Sequence, residues 1–121
     1  MNAPSTSWPS ELRVDPARST LSVTFENGER FALPAEYLRV ESPSAEVQGH
    51  SAAQKQTIAG KRHVKIVSVE PVGNYAARII FDDGHDTGLY SWDYFNELGR
   101  DQTTKWSAYL SALRKTGGKR E

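Results

Sequence analysis

Residues 21–33 read LSVTFENGERFAL, and the way this stretch folds back on itself decides the architecture of the chain. Apolar and polar residues alternate on both sides of Asn27-Gly28, the pattern of a β-hairpin with one half-buried face. Two turns compete. A two-residue Asn27-Gly28 turn pairs Phe25 with Arg30 and Val23 with Ala32, which throws Phe31 and Leu33 onto the wrong face. A three-residue loop, Glu26-Asn27-Gly28 with Gly28 left-handed, pairs Val23 with Phe31 and Leu21 with Leu33. One face is then apolar. A one-residue slip would send every side chain to the opposite face, so the second register is the predicted one.

The same grammar recurs in ARIIFDDGHDTGLYSW, residues 77–92. Asp82-Asp83-Gly84 is the expected loop, with His85 across from Phe81 at the tip, Ile79 facing Thr87 and Ala77 facing Leu89. Each hairpin runs into a helix start. After the first comes PAEYLRV, with Pro34 in the first turn. After the second comes SWDYFNELG, with Ser91 as N-cap, a Tyr90–Phe95 staple and Gly99 as the stop. The two halves form a faint repeat, too short for a solenoid.

Residues 63–73, HVKIVSVEPVG, read as a strand, and Tyr75 to Phe81 as the next. In TTKWSAYLSALRK, Trp106, Tyr109, Leu110 and Leu113 fall at i, i+3, i+4 and i+7, one helical face. Asp101 or Thr103 caps that helix and Gly117 ends it. Ser51 to Gly60 reads as a surface loop. Met1 to Ser10, rich in Pro, Ser, Ala and Asn, is expected to be a disordered leader, and Thr116 to Glu121 a flexible tail. The prediction is therefore a small single α+β domain over residues 11–115. Twisted antiparallel β-hairpins pack with short helices and a C-terminal amphipathic helix.

Composition narrows the function. The chain has 121 residues, one domain by length, with 37% hydrophobic and 25% charged residues. Lys+Arg and Asp+Glu are 15 each, so no net charge advertises nucleic acid or an anionic membrane. No cysteine is present, which removes disulfides, thiolate nucleophiles and Cys metal cages and fits a cytoplasmic protein. MNAPSTSWPS lacks the charged and apolar regions of a signal peptide, and no apolar run is long enough to span a membrane.

The segment LRVESPSAEVQGH, Leu38 to His50, carries most of the functional question. Read structurally, Ser42 is an N-cap, Pro43 the first helical residue, Glu46 a complement to the helix dipole and Gly49 the stop. This segment, together with GKRHVKIVSVEPVGNYAARIIFDDGHDTGLYSWDYFNELG, resembles the gamma-butyrobetaine hydroxylase-like N-terminal domain family over about Leu12 to Leu113. Small stand-alone bacterial members of that family have no assigned function. Others precede the catalytic domain of 2-oxoglutarate-dependent hydroxylases, or are appended to ATPases that handle iron–sulfur clusters. In the hydroxylases the resemblance implies a zinc site of three cysteines and one histidine. Those cysteine positions fall here on Ser42, Ser44 and Val47, and the histidine on His85. The three-cysteine zinc site is therefore absent.

What the resemblance leaves is a Leu38–His50 loop beside the His85 tip. Glu46, His50 and His85 are the candidate ligands for zinc or iron, with Asp83 or Asp86 near, and Arg39, Ser42, Ser44 and Trp92 are the candidate partner contacts. His63 reads as solvated. Asp82, Asp83 and Asp86 lack EF-hand spacing and read as turn formers. No H-x-D…H oxygenase triad appears, because His85 and Asp86 are adjacent. The leading expectation is a non-enzymatic accessory module that binds a partner protein and a metal ion. The rivals are a metal-dependent enzyme or oxygenase subunit using the Glu46/His50/His85 region, and a nucleic-acid binder using Lys55, Lys61, Arg62 and Lys65. Neutral net charge opposes the last.

Overall fold

Leu21, Val23 and Phe25 alternate with polar residues along one strand, and all three are fully buried. That strand is β2 (Thr20–Phe25) in a computed structural model that describes residues 8–121. It is the centre of a three-stranded antiparallel sheet with β1 (Pro9–Val14) and β3 (Arg30–Pro34). Leu21 pairs with Leu33 and Val23 with Phe31, the predicted register. Phe25 donates its N–H to Glu29 O, leaving Glu26, Asn27 and Gly28 as the loop, with Gly28 at φ +93°. β1 was not expected. It begins at Pro9, inside the predicted leader; residues 1–7 of that leader lie outside the described residues. Its burial is partial, so it carries too little apolar alternation to stand out by period.

A second antiparallel sheet contains β4 (Ile66–Val72), β5 (Ala76–Phe81) and β6 (Leu89–Ser91), in that order. Its tip follows prediction: Phe81 and Gly84 close the loop through His85 O and Phe81 O. Further along, the predicted register is wrong by one residue. Ala77 pairs with Tyr90, not Leu89. The chain between the tip and β6 takes up one extra residue, and within that stretch Gly88 lies so close to the Ser42 corner that a Cβ there would sit 2.5 Å from Ser42 Oγ. The slip turns Tyr90 inward, fully buried, and leaves Leu89 outside. Burying an aromatic ring whose hydroxyl reaches Leu38 O outweighs the regular ladder that sequence alternation favours.

Among the described residues, four α-helices complete the domain: α1 (Ala35–Val40), α2 (Ala45–Gln48), α3 (Trp92–Arg100) and α4 (Gln102–Lys115). Ser91 caps α3 by accepting from Tyr94 N–H, and Tyr90 stacks on Phe95 at 5.4 Å, the predicted staple. Gly99 does not end α3. It lies within the helix, where a Cβ would be 2.2 Å from Phe31 Cγ, so glycine serves close packing of α3 on the first sheet. Pro34 is the N-cap of α1 and Ser44 that of α2, each outside the helix rather than in its first turn.

Both sheets feed one core. Leu21, Val23, Phe25 and Leu33 meet Ile66, Ala77, Ile79 and Phe81, with Tyr37 and Leu38 from α1 and Phe95 and Leu98 from α3. A satellite cluster of Val40, Tyr109 and Leu113 seats α4, with Trp106 and Leu110 half-buried beside it. The expected flexible tail is tied down. Gly60 and Arg62 N–H groups donate to Lys119 O and Arg120 O, and the Arg120 guanidinium makes a two-pronged ion pair with Glu36. Arg120 also lies 5.3 Å from the Trp106 ring centroid. Composition alone made these residues look unstructured, because their partners are remote in sequence.

Candidate functional site

The corner between α1 and α2 and the tip of the second hairpin do meet, as the resemblance implied. His85 is buried with 7% of its surface exposed. Its Nε2 lies 2.8 Å from Ser42 Oγ and 3.4 Å from Ser44 Oγ. Its Nδ1 lies 3.8 Å from a Glu46 carboxylate oxygen. The other Glu46 oxygen accepts from Thr87 Oγ1 at 2.6 Å. Ser42 is not the N-cap of α2; its hydroxyl turns to the histidine instead.

Beside this cluster, Asp83 is held by two cations. Its Oδ2 accepts from Arg39 Nε at 2.8 Å and Lys61 Nζ at 2.7 Å, and its Oδ1 from the His85 N–H at 3.0 Å. Burial alone would raise the Asp83 pKa, but Lys61, the His85 amide and Arg39 together hold it at about 2. Burial, then the Arg39 guanidinium, push the His85 pKa below its ordinary value against the pull of Glu46, Asp83 and Asp86. Among the described residues, Arg39 Nη1 finds no hydrogen-bond partner though it is buried.

The candidate ligands divide. Glu46 and His85 are brought together, whereas His50 is exposed and its backbone N–H donates to the Gln54 side chain. Among the described residues, no group of three or more His, Cys, Asp or Glu is placed to hold a metal ion. The expected Glu46/His50/His85 site is therefore not formed. His50 lies beyond the Gly49 turn, which carries the chain away into the Ser51–Gly60 loop. Nor do the residues suit the zinc of the hydroxylases. Two neutral hydroxyls occupy thiolate positions, and buried Val47 offers no donor at the third.

The order Ser42–His85–Glu46 resembles a hydrolytic relay in sequence of contacts alone. Ser42 is 0% exposed beneath Gly88, and the carboxylate stops short of hydrogen-bond distance from Nδ1. Ser42 in this arrangement is closed off from solvent. The arrangement clasps together residues about forty apart in sequence. The predicted contacts Arg39, Ser42 and Ser44 are inside it. Trp92 is half-buried, its Nε1 donating to Asn74 O and its ring stacked near Phe95. Sequence reasoning missed the Arg39–Asp83–Lys61 bridge. Its one signal was the pair of like charges, Lys61 and Arg62, opposite the acidic hairpin tip.

The family model described as "Gamma-butyrobetaine hydroxylase-like, N-terminal" matches residues 12–96, so the chain belongs to that family. It is similar to two solved NMR solution structures at 43% identity, with TM-scores of 0.82 and 0.83, covering 96% and 100% of this chain and 91% of each of those. It is also similar to the crystal structure of a protein of unknown function from Acidithiobacillus ferrooxidans, of the DUF971 family. That match has 37% identity and a TM-score of 0.63, over 75% of this chain and 91% of the other. The chain matches no curated protein. Among the described residues, no helix is long and apolar enough to cross a membrane.

Proposed function

We propose that this protein is a non-catalytic binding module that docks a partner protein against its second sheet. The observation that supports the reading is a contrast. Ser42, Ser44 and His85 at the α1–α2 corner are buried against one another, while Val67, Tyr75 and Leu89 of the second sheet region are 49%, 55% and 43% exposed. Leu89 shares the outer face with Arg78, its cross-strand partner, and Glu70 lies beyond, ion-paired to Arg78 at 2.7 Å. Large apolar side chains beside a charged pair suit an interface with an apolar centre and a polar rim. The iron–sulfur and iron(II)-oxygenase systems implied by the resemblance are the place to seek the partner.

Affinity capture with the wild type and with Leu89→Glu tests the reading. A partner retained by the wild type and lost by the variant, with the melting temperature unchanged, is the expected result. Equal capture by both moves the interface elsewhere. A metal-dependent role is tested separately by titrating Zn²⁺ and Fe²⁺ into untagged protein. The melting temperature should not rise; a rise abolished by His85→Ala would restore metal to the function.

A further inference from the structure

A cleft of about 380 Å³ opens between the end of α1, the Ser51–Gly60 loop and α4. Lys105, Ala108, Tyr109 and Ala112 line it at i, i+3, i+4 and i+7, and the two alanines leave room that longer side chains would fill. Tyr109 is fixed as a wall because its hydroxyl donates to Ile58 O at 2.6 Å. Val40, fully buried, continues the apolar lining.

The charges in this cleft are arranged unevenly. The Glu41 side chain is 4% exposed and meets Lys55 Nζ through Oε1 at 2.6 Å. Among the described residues, its Oε2 has no hydrogen-bond donor. That oxygen keeps contact with solvent and Glu41 lines the cleft, so a ligand's N–H would replace water on a charged acceptor. Lys55 and Lys105 border the same space with 39% and 26% of their side chains exposed, and Lys105 Nζ rests on Glu97 at 2.9 Å. A simple anion would meet Glu41. A simple amine would face two ammonium groups. A molecule carrying both charges on a short apolar body matches the lining.

We propose that this cleft binds a small zwitterion, an α-amino acid with an aliphatic side chain. Its ammonium donates to Glu41 Oε2, its carboxylate accepts from Lys55 or Lys105, and its side chain lies on Ala108, Tyr109 and Ala112. The site is separate from the proposed partner surface and does not depend on it.

Titration of L-leucine into the ¹⁵N-labelled chain tests the proposal, beside 3-methylbutylamine, which lacks the carboxylate, and 4-methylpentanoate, which lacks the ammonium. Leucine should move the amides of residues 40–41, 55–57 and 105–112 saturably, with each truncated probe about ten-fold weaker or more. Glu41→Gln should weaken leucine by a similar factor. Should that variant fail to fold, Ala108→Leu, which fills the cleft and leaves the charges in place, should abolish the shifts. No saturable shift with leucine at about 10 mM would overturn the proposal. So would shifts that survive Ala108→Leu, or binding of the acid as tight as that of leucine.

Discussion

His85 shows how a side chain suited to chemistry is turned to holding a fold. Its ring joins a hairpin tip to a helix corner through hydroxyls from Ser42 and Ser44, residues far off in sequence. Burial first, and the Arg39 charge second, lower its pKa from the ordinary 6.5. The unfolded chain therefore takes up this proton before the folded one does. The stability His85 contributes is complete above about pH 6.5 and is lost as pH falls through the folded pKa. The melting temperature should drop as pH falls below about 6.5, and His85→Gln should flatten that slope. An unchanged slope in the variant would assign the effect to another group. Asp83 cannot supply it, because its carboxyl is held at about 2 and titrates far lower. The sequence marks His85 as a tip residue and, through resemblance, as a site residue. It does not mark its partners, since no spacing rule links positions more than forty apart.

At the scale of elements, legibility follows the range of the interaction that sets each one. The first hairpin is readable because its loop and its apolar face agree. The second departs by one residue between its tip and β6, the stretch in which Gly88 packs on Ser42, a contact that local pattern does not contain. Gly99 is the sharper case. Read locally it stops a helix; in the fold it admits the Phe31 ring. Gly99→Ala would gain about 1 kcal/mol of helix propensity, yet the clash should reverse the sign and cost about 1–3 kcal/mol net. Urea midpoints measure this, and adding Phe31→Leu should recover part of the loss. The tail gives a parallel test. Arg120→Ala strands the Glu36 carboxylate, whose side chain is 8% exposed, and should cost about 1–3 kcal/mol. Lys119→Ala, at an exposed neighbour, should cost less than about 0.5 kcal/mol. Equal effects from the two would mean that the tail is held by its backbone alone.

Across the whole molecule, neither sheet encloses a core of its own. The apolar face of β2 closes against β5, and α1 and α3 cap the same cluster. Arg18, in a left-handed conformation at φ +61°, ties the sheets further by accepting from the Ile66 N–H and donating to Val67 O at 2.8 Å. Sequence alternation identifies each apolar face, but the mutual burial of two faces is a property of the assembled chain. With one shared core, the two sheets should unfold together. Leu21→Ala, in the first sheet and fully buried, should cost about 2–5 kcal/mol. Trp92 follows the second sheet and, kept as the sole tryptophan by Trp8→Phe and Trp106→Phe, reports on that loss by fluorescence. Its urea midpoint should shift as far as that of far-ultraviolet circular dichroism, with the two curves superimposed. A fluorescence midpoint that stays at the wild-type value while the dichroism midpoint falls would mean that the sheets are separate folding units, leaving the clasp at His85 as a hinge between them rather than a seal.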